Sequence, residues 1–186
     1  PEVNETQCIF CGLCGQICAY SAIAPVGNQV LLFPELCHSC GGCLLVCPVE
    51  VITEKKREIG TVERGTTGDI QFLQGILHLG ETMSPPVIRA VKKEVISSDW
   101  VILDAPPGTS CPVVETLRGC DYAILVTEPT PFGLHDLILA VNMVRALKLP
   151  FGVVINRADL SYLQIYEYCA QQNITILAEI PDDIRI

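Results

Sequence analysis

The chain has 186 residues, 49% of them apolar and 18% charged, a balance that favours a folded core over disorder. Its 21 acids against 12 Lys and Arg leave a net charge of -9, which repels phosphate backbones and anionic lipid and argues against nucleic-acid partners. No stretch reaches the roughly 20 apolar residues of a membrane span, and the leading PEVNETQ has no charged-then-apolar export pattern, so the expected location is cytoplasmic.

Cys8, Cys11, Cys14 and Cys18 have the spacing C-x2-C-x2-C-x3-C, and Cys37, Cys40, Cys43 and Cys47 repeat it with an offset of 29 residues. Three thiolates two residues apart on a tight loop reach three corners of one cubic [4Fe-4S] cluster, while the fourth, at the start of a helix, points to the other cluster. The expected ligand sets are therefore Cys8, Cys11, Cys14 and Cys47 for one cluster, and Cys37, Cys40, Cys43 and Cys18 for the other. Gly12, Gly15, Gly41 and Gly42 allow close backbone approach and offer amides to the sulfides. Two structural zinc sites are the plainer alternative; they need only four ligands each and usually set two C-x2-C pairs well apart. Disulfides fit poorly with a reducing compartment and so regular a repeat.

Residues 3 to 53 closely resemble the bacterial two-cluster ferredoxins. Ala19 replaces the proline that usually follows the fourth cysteine, whereas Cys47-Pro48 keeps it. Residues 1 to 50 contain four acids and no Lys or Arg, so a redox partner or client protein is expected to present a basic face. His38 is expected to cover its cluster rather than to tune it.

Residues 54 to 80 mix polar and apolar residues in near alternation, punctuated by Gly60, Gly65, Gly68, Gly75 and Gly80, which predicts short antiparallel strands. Lys55-Lys56-Arg57 reads as a solvated face. From residue 84 strands and helices alternate. Ser84 is expected to cap a helix opening at Pro85-Pro86 and burying Val87, Val91 and Val95, with a strand at Trp100 to Leu103 next. A helix near 112 to 119 and a strand from Tyr122 to Thr127 follow. Thr130 is the expected cap of a helix running from Pro131 through Leu147 to a strand at Phe151 to Ile155. A helix over 161 to 172 then leads to a strand at Ile174 to Ile180. Continuous apolar strands alternating with helices predict a parallel sheet covered on both faces.

Val101-Ile102-Leu103-Asp104 ends in an acid suited to the water shell of Mg2+, and Pro106-Pro107-Gly108 is a stiff turn whose glycine amide can reach a γ-phosphate. Asn156 ends a strand where an amide side chain suits an adenine edge, and Ile180-Pro181-Asp182 forms another strand-end turn. With DAPPGTSCP, TEPTPFGLHDL, VINRA and AEIPDD, residues 84 to 186 resemble the MinD/Mrp/ParA class of P-loop ATPases. The whole chain is similar to MinD-superfamily ATPases with a ferredoxin domain inserted between the phosphate loop and the D-x-P-P-G switch. The resemblance implies an α/β fold: an incomplete parallel-sheet P-loop NTPase-like domain with an inserted α+β bacterial-ferredoxin-like domain. It also implies two [4Fe-4S] clusters with ATP and Mg2+ in the full-length protein, Asp104 as the magnesium-side acid, Gly108 as the γ-phosphate sensor, and Asn156, Pro181 and Asp182 as adenine contacts. The expected domains are 1–53, ferredoxin-like; 54–83, connecting strands; and 84–186, the C-terminal part of the ATPase domain.

A phosphate loop needs a Gly-Lys-Ser/Thr core, and none of the five lysines follows a glycine. The expectation is a piece of a longer ATPase that lacks the loop and is inactive by itself, with the absent strand belonging beside residues 100 to 104 and a helix beginning near Ile186. Cys111, Cys120 and Cys169 are expected to be buried small hydrophobes; Mrp-type carriers bridge subunits with a C-x-x-C pair, but position 114 is Val. The resemblance implies coupling of ATP to electron transfer or to cluster assembly and delivery, with a nucleotide-dependent homodimer. The alternative is a plain ferredoxin-type electron carrier whose α/β part is a docking scaffold.

Overall fold

A computed structural model of the protein describes residues 1–95, 100–160, 162–183 and 185, and the chain divides into two units, Pro1–Ile96 and Ser97–Ile186. In the first, β1 (Glu2–Val3) precedes helix α1 (Leu13–Ile17), the antiparallel hairpin of β2 (Ile23–Val26) and β3 (Gln29–Leu32), and a 3-10 turn at Pro34–Leu36. Helix α2 (Gly42–Leu45) and β4 (Ile52–Thr53) follow, and β4 returns antiparallel to β1 with Val3 opposite Ile52. Helices of four or five residues have no stability of their own. Ile23, Val30, Val51 and Ile52 form a small core onto which Cys8, Cys14, Cys18, Cys43 and Cys47 pack. The thiols thus belong to the same interior as the apolar residues.

The alternating stretch forms the expected antiparallel pair, β5 (Gly60–Thr67) and β6 (Ile70–Leu77), each eight residues long. Gly68, at φ +55, opens their two-residue connection, as a tight hairpin requires. Helix α3 (Pro85–Glu94) lies on one face of this hairpin with Val87 buried and Val91 half-buried. The approach is close: a Cβ at Gly75 would stand 2.6 Å from Val87 Cγ1 and 2.9 Å from Val91 Cγ2. Ser84 makes no side-chain cap, contrary to expectation. Its backbone is already helical and its carbonyl already accepts from the Ile88 amide at 3.0 Å.

The basic run is more than a solvated face. Lys55 pairs with Glu2 at 2.7 Å. The Arg57 guanidinium grips both carboxylate oxygens of Glu81 and donates to the Pro34 carbonyl at 3.0 Å. Beside it the Thr82 hydroxyl donates to the Glu35 carbonyl at 3.1 Å. These bonds tie the segment after β6 to the turn just ahead of Cys37.

The second unit contains α4 (Cys111–Leu117), β7 (Ala123–Thr127), α5 (Pro131–Ala146), β8 (Phe151–Asn156), α6 (Gln164–Gln171) and β9 (Ile176–Ile180). β7, β8 and β9 form a parallel sheet in that order, and the chain is mixed α/β. Thr130 caps α5 as its sequence predicts, its hydroxyl accepting from the Gly133 amide at 3.0 Å. Leu137 and Val141 of α5 and Ile165 and Cys169 of α6 pack with Val153 and Ile155 of β8. Burial of each such aliphatic side chain is worth about 1.5–3 kcal/mol.

Three expectations are corrected here. Among the described residues the sheet is covered on one face only: on the other, Ile124 and Val126 are 60% and 66% exposed. Residues 100 to 103 form no strand, and Ile102 is 93% exposed; no neighbouring strand among the described residues offers them a ladder. Of the three extra cysteines, Cys169 is buried in the core, Cys120 is half-buried, and Cys111 is exposed at the start of α4. The start of the helix expected over 161 to 172 and the helix expected at the C-terminal end fall on residues outside the described ones. Among the described residues no helix is long and apolar enough to cross a membrane.

Candidate metal centres

The two cysteine runs repeat in backbone as well as in sequence. Phe10 and Ser39, 29 residues apart, take φ +49 and +52; Gly12 and Gly41 take +82 and +73; Ser21 and Glu50 take +52 and +51. Four of these six are not glycine, and side-chain-bearing residues adopt such a conformation only where the surroundings impose it. In each run the chain takes the left-handed region on both sides of its second thiol and again three residues after its fourth.

This geometry gathers the thiols crosswise. Cys8, Cys11 and Cys14 line a narrow cavity of about 20 Å3 together with Cys47 of the other run. Cys37, Cys40 and Cys43 line a wider cavity of about 390 Å3 together with Cys18. Among the described residues no three His, Cys, Asp or Glu side chains converge closely enough to hold a single metal ion. The thiols line the two cavities.

Backbone amides face the sulfurs. The Phe10 amide donates to Cys8 Sγ at 3.4 Å, and the Ala22 amide to Cys18 Sγ at 3.3 Å. Burial pushes the Cys14 and Cys43 thiols up, and these occupy equivalent places in the two runs. At Cys18 burial also pushes upward, but amides of Tyr20, Ala22, Ile23 and Ser21 outweigh it and bring the thiol below its ordinary value. An amide cage that favours the thiolate is what a metal-bound sulfur needs.

The residues suggested for nucleotide lie in the second unit. Asn156 ends β8 opposite Ile180 of β9, and Pro181 and Asp182 follow directly, so these three share the carboxyl edge of the sheet. Asp104 and Gly108 lie on the exposed stretch ahead of α4, with Gly108 at φ +91.

Two arrangements escaped the sequence. Arg157, at φ +52, reaches Glu128 at 3.6 Å and Asp182 at 3.8 Å, and Asp159 accepts from the Asp182 amide at 2.7 Å. The acids placed just beyond each strand end were the available signal. Tyr20 and His38 stack on one another, for which their places two residues after Cys18 and one after Cys37 were the only hint.

The pattern of the 4Fe-4S binding domain matches residues 30–53, which span the second cysteine run. An uncharacterized protein of Methanocaldococcus jannaschii is 32% identical over 80% of this chain and 55% of its own length. An iron-sulfur cluster carrier protein of Pyrococcus horikoshii is 35% identical over 47% of this chain and 31% of its own length. A cytosolic Fe-S cluster assembly factor NUBP2 homolog of Dictyostelium discoideum is 31% identical over 58% and 43%. No solved structure matches. The chain spans about half the length of the Methanocaldococcus jannaschii relative and of a second uncharacterized protein of that organism that it matches. It carries a 4Fe-4S-binding segment and is distantly related to iron-sulfur cluster carrier and assembly proteins.

Proposed function

We propose that the chain holds two [4Fe-4S] clusters, one on Cys8, Cys11, Cys14 and Cys47 and one on Cys37, Cys40, Cys43 and Cys18. In the whole protein this module serves a MinD-like ATPase domain, coupling ATP binding and hydrolysis to iron-sulfur cluster assembly and delivery or to electron transfer. The crosswise sharing of thiols between two cavities carries the reading. A zinc ion would require four sulfurs at about 2.3 Å from one point, whereas a cube spreads them around a volume. The wider cavity suits a cube best, and the repeated backbone argues that the first quartet does the same. When bound, such clusters supply one-electron exchange; the protein contributes the thiolates, the amides facing them and the surrounding lining.

At the other unit, Asn156, Pro181 and Asp182 would contact adenine, with Asp104 on the magnesium side and Gly108 toward the γ-phosphate. Their support is the shared strand edge for the first three and the positive φ of Gly108. A client or redox partner with a basic face fits the absence of Lys and Arg from residues 1 to 50, and a nucleotide-dependent homodimer belongs to the same proposal.

Anaerobic reconstitution should load about eight irons and as many sulfides per chain, with electron paramagnetic resonance signals appearing on reduction. Zinc-loaded, colourless protein would overturn the cluster reading. The full-length protein should hydrolyse ATP at a rate that depends on cluster reduction. Turnover indifferent to the clusters would favour the plain electron carrier.

A further inference from the structure

The repeat supplies its own control, because most residues lining one cavity, all four thiols included, have a counterpart 29 positions away lining the other. Around the first quartet stand Ile9, Phe10 and Val49. Their counterparts around the second are His38, Ser39 and Tyr20. Apart from its thiols the first cavity is lined by apolar residues and glycine alone, and it is small, about 20 Å3. The second, about 390 Å3, also has Glu54, Lys55 and Lys56 on its wall.

We infer that the two centres are inequivalent, and that the one on Cys18, Cys37, Cys40 and Cys43 accepts an electron first. The inference rests on the two-cluster reading. A one-electron reduction adds a negative charge beside four thiolates. An apolar lining without side-chain donors resists that charge, whereas a lining that adds hydroxyl, imidazole and two ammonium groups against the single Glu54 carboxylate accommodates it. Tyr20, His38 and Ser39 are therefore positioning residues that decide where the electron rests.

The experiment is stepwise reduction of the anaerobically reconstituted chain by dithionite at controlled potentials, followed by electron paramagnetic resonance. Two one-electron waves are expected, with at least a tenfold preference for the first, which corresponds to about 59 mV. Cys40→Ser should alter or abolish the signal of the first wave, and Cys11→Ser that of the second. Replacing His38→Ile and Ser39→Phe together copies the first lining onto the second and should draw the waves together. Tyr20→Val should act in the same direction if that double variant fails to assemble. Coincident waves in the unmodified chain, or a first wave altered by Cys11→Ser, would overturn the inference. Iron content on the same samples separates the two failures. About eight irons with coincident waves sinks this inference alone, and about four irons sinks the two-cluster reading along with it.

Discussion

Tyr20 lies flat against His38, with ring centroids 3.5 Å apart and planes 4° from parallel. Each ring belongs to a different cysteine run, so the stack clasps the end of the first run to the start of the second. Aromatic pairs usually prefer an offset with centroids 4.5–7 Å apart, and favourable ones add about 0.5–1.5 kcal/mol. The close overlap here places this pair near the lower end. A double-mutant cycle of Tyr20→Ala and His38→Ala, followed by urea unfolding, should give a coupling of about 0.5 kcal/mol. Additive single effects would show that the rings merely lie together.

The hairpin of β5 and β6 offers a contrast between two glycines on opposite faces. Gly75 sits under α3, where a Cβ would press on Val87 and Val91, and Gly65 faces open space with nothing within 4 Å. Gly75→Ala should destabilise by about 1–3 kcal/mol through overpacking. Gly65→Ala should be neutral or stabilising, by up to about 1 kcal/mol, because it narrows the unfolded ensemble. Thermal unfolding of both variants checks the sign; similar behaviour would mean that α3 does not press on the hairpin.

How far the sequence could be read depended on whether the signal was local. Thr130 lies next to Pro131 at the head of an apolar helix, and its cap formed where the residues placed it. The strands at 123–127 and 151–156 were continuous apolar runs and paired in parallel. Residues 100 to 103 were as apolar, yet they form no strand, because a strand exists only with a neighbour and composition cannot supply one. Ser84 had the chemistry of a cap, but Pro85 and Pro86 extend a helix that already includes the backbone of Ser84. At the candidate centres the spacing named all eight thiols. The Tyr20–His38 stack, and Arg157 between Glu128 and Asp182, depend on residues distant in sequence, which no local pattern could reveal.

The clasp of Arg57 on Glu81 has a pH signature. Hydrogen bonds from the guanidinium hold the Glu81 carboxyl below its ordinary range. A group depressed in the folded state adds stability above its unfolded value, near 4.3, and that contribution is lost as pH falls through the lower folded value. Acidification from about pH 5 to pH 3 should therefore destabilise the native chain more than Glu81→Gln, which has no such charge to lose. The measurement is the difference between urea midpoints of the two proteins across that window. Parallel pH profiles would show the pair to be fully screened by solvent.

Cys18 and Cys47 decide whether the centres are shared between runs or closed within them. Each is the fourth thiol of its own run, yet Cys18 lines the cavity of Cys37, Cys40 and Cys43, and Cys47 that of Cys8, Cys11 and Cys14. If ligation follows the cavities, Cys18→Ser should remove the same resonance signal as Cys40→Ser, and the two together should cost no more iron than either alone. Cys47→Ser should instead match Cys11→Ser. Each single variant should retain about half the iron of the unmodified chain, since each cluster carries four of the eight irons. Should Cys18→Ser pair with Cys11→Ser, each run would be closing on itself. The left-handed loop residues would then be shaping two separate sites instead of one interlocked pair.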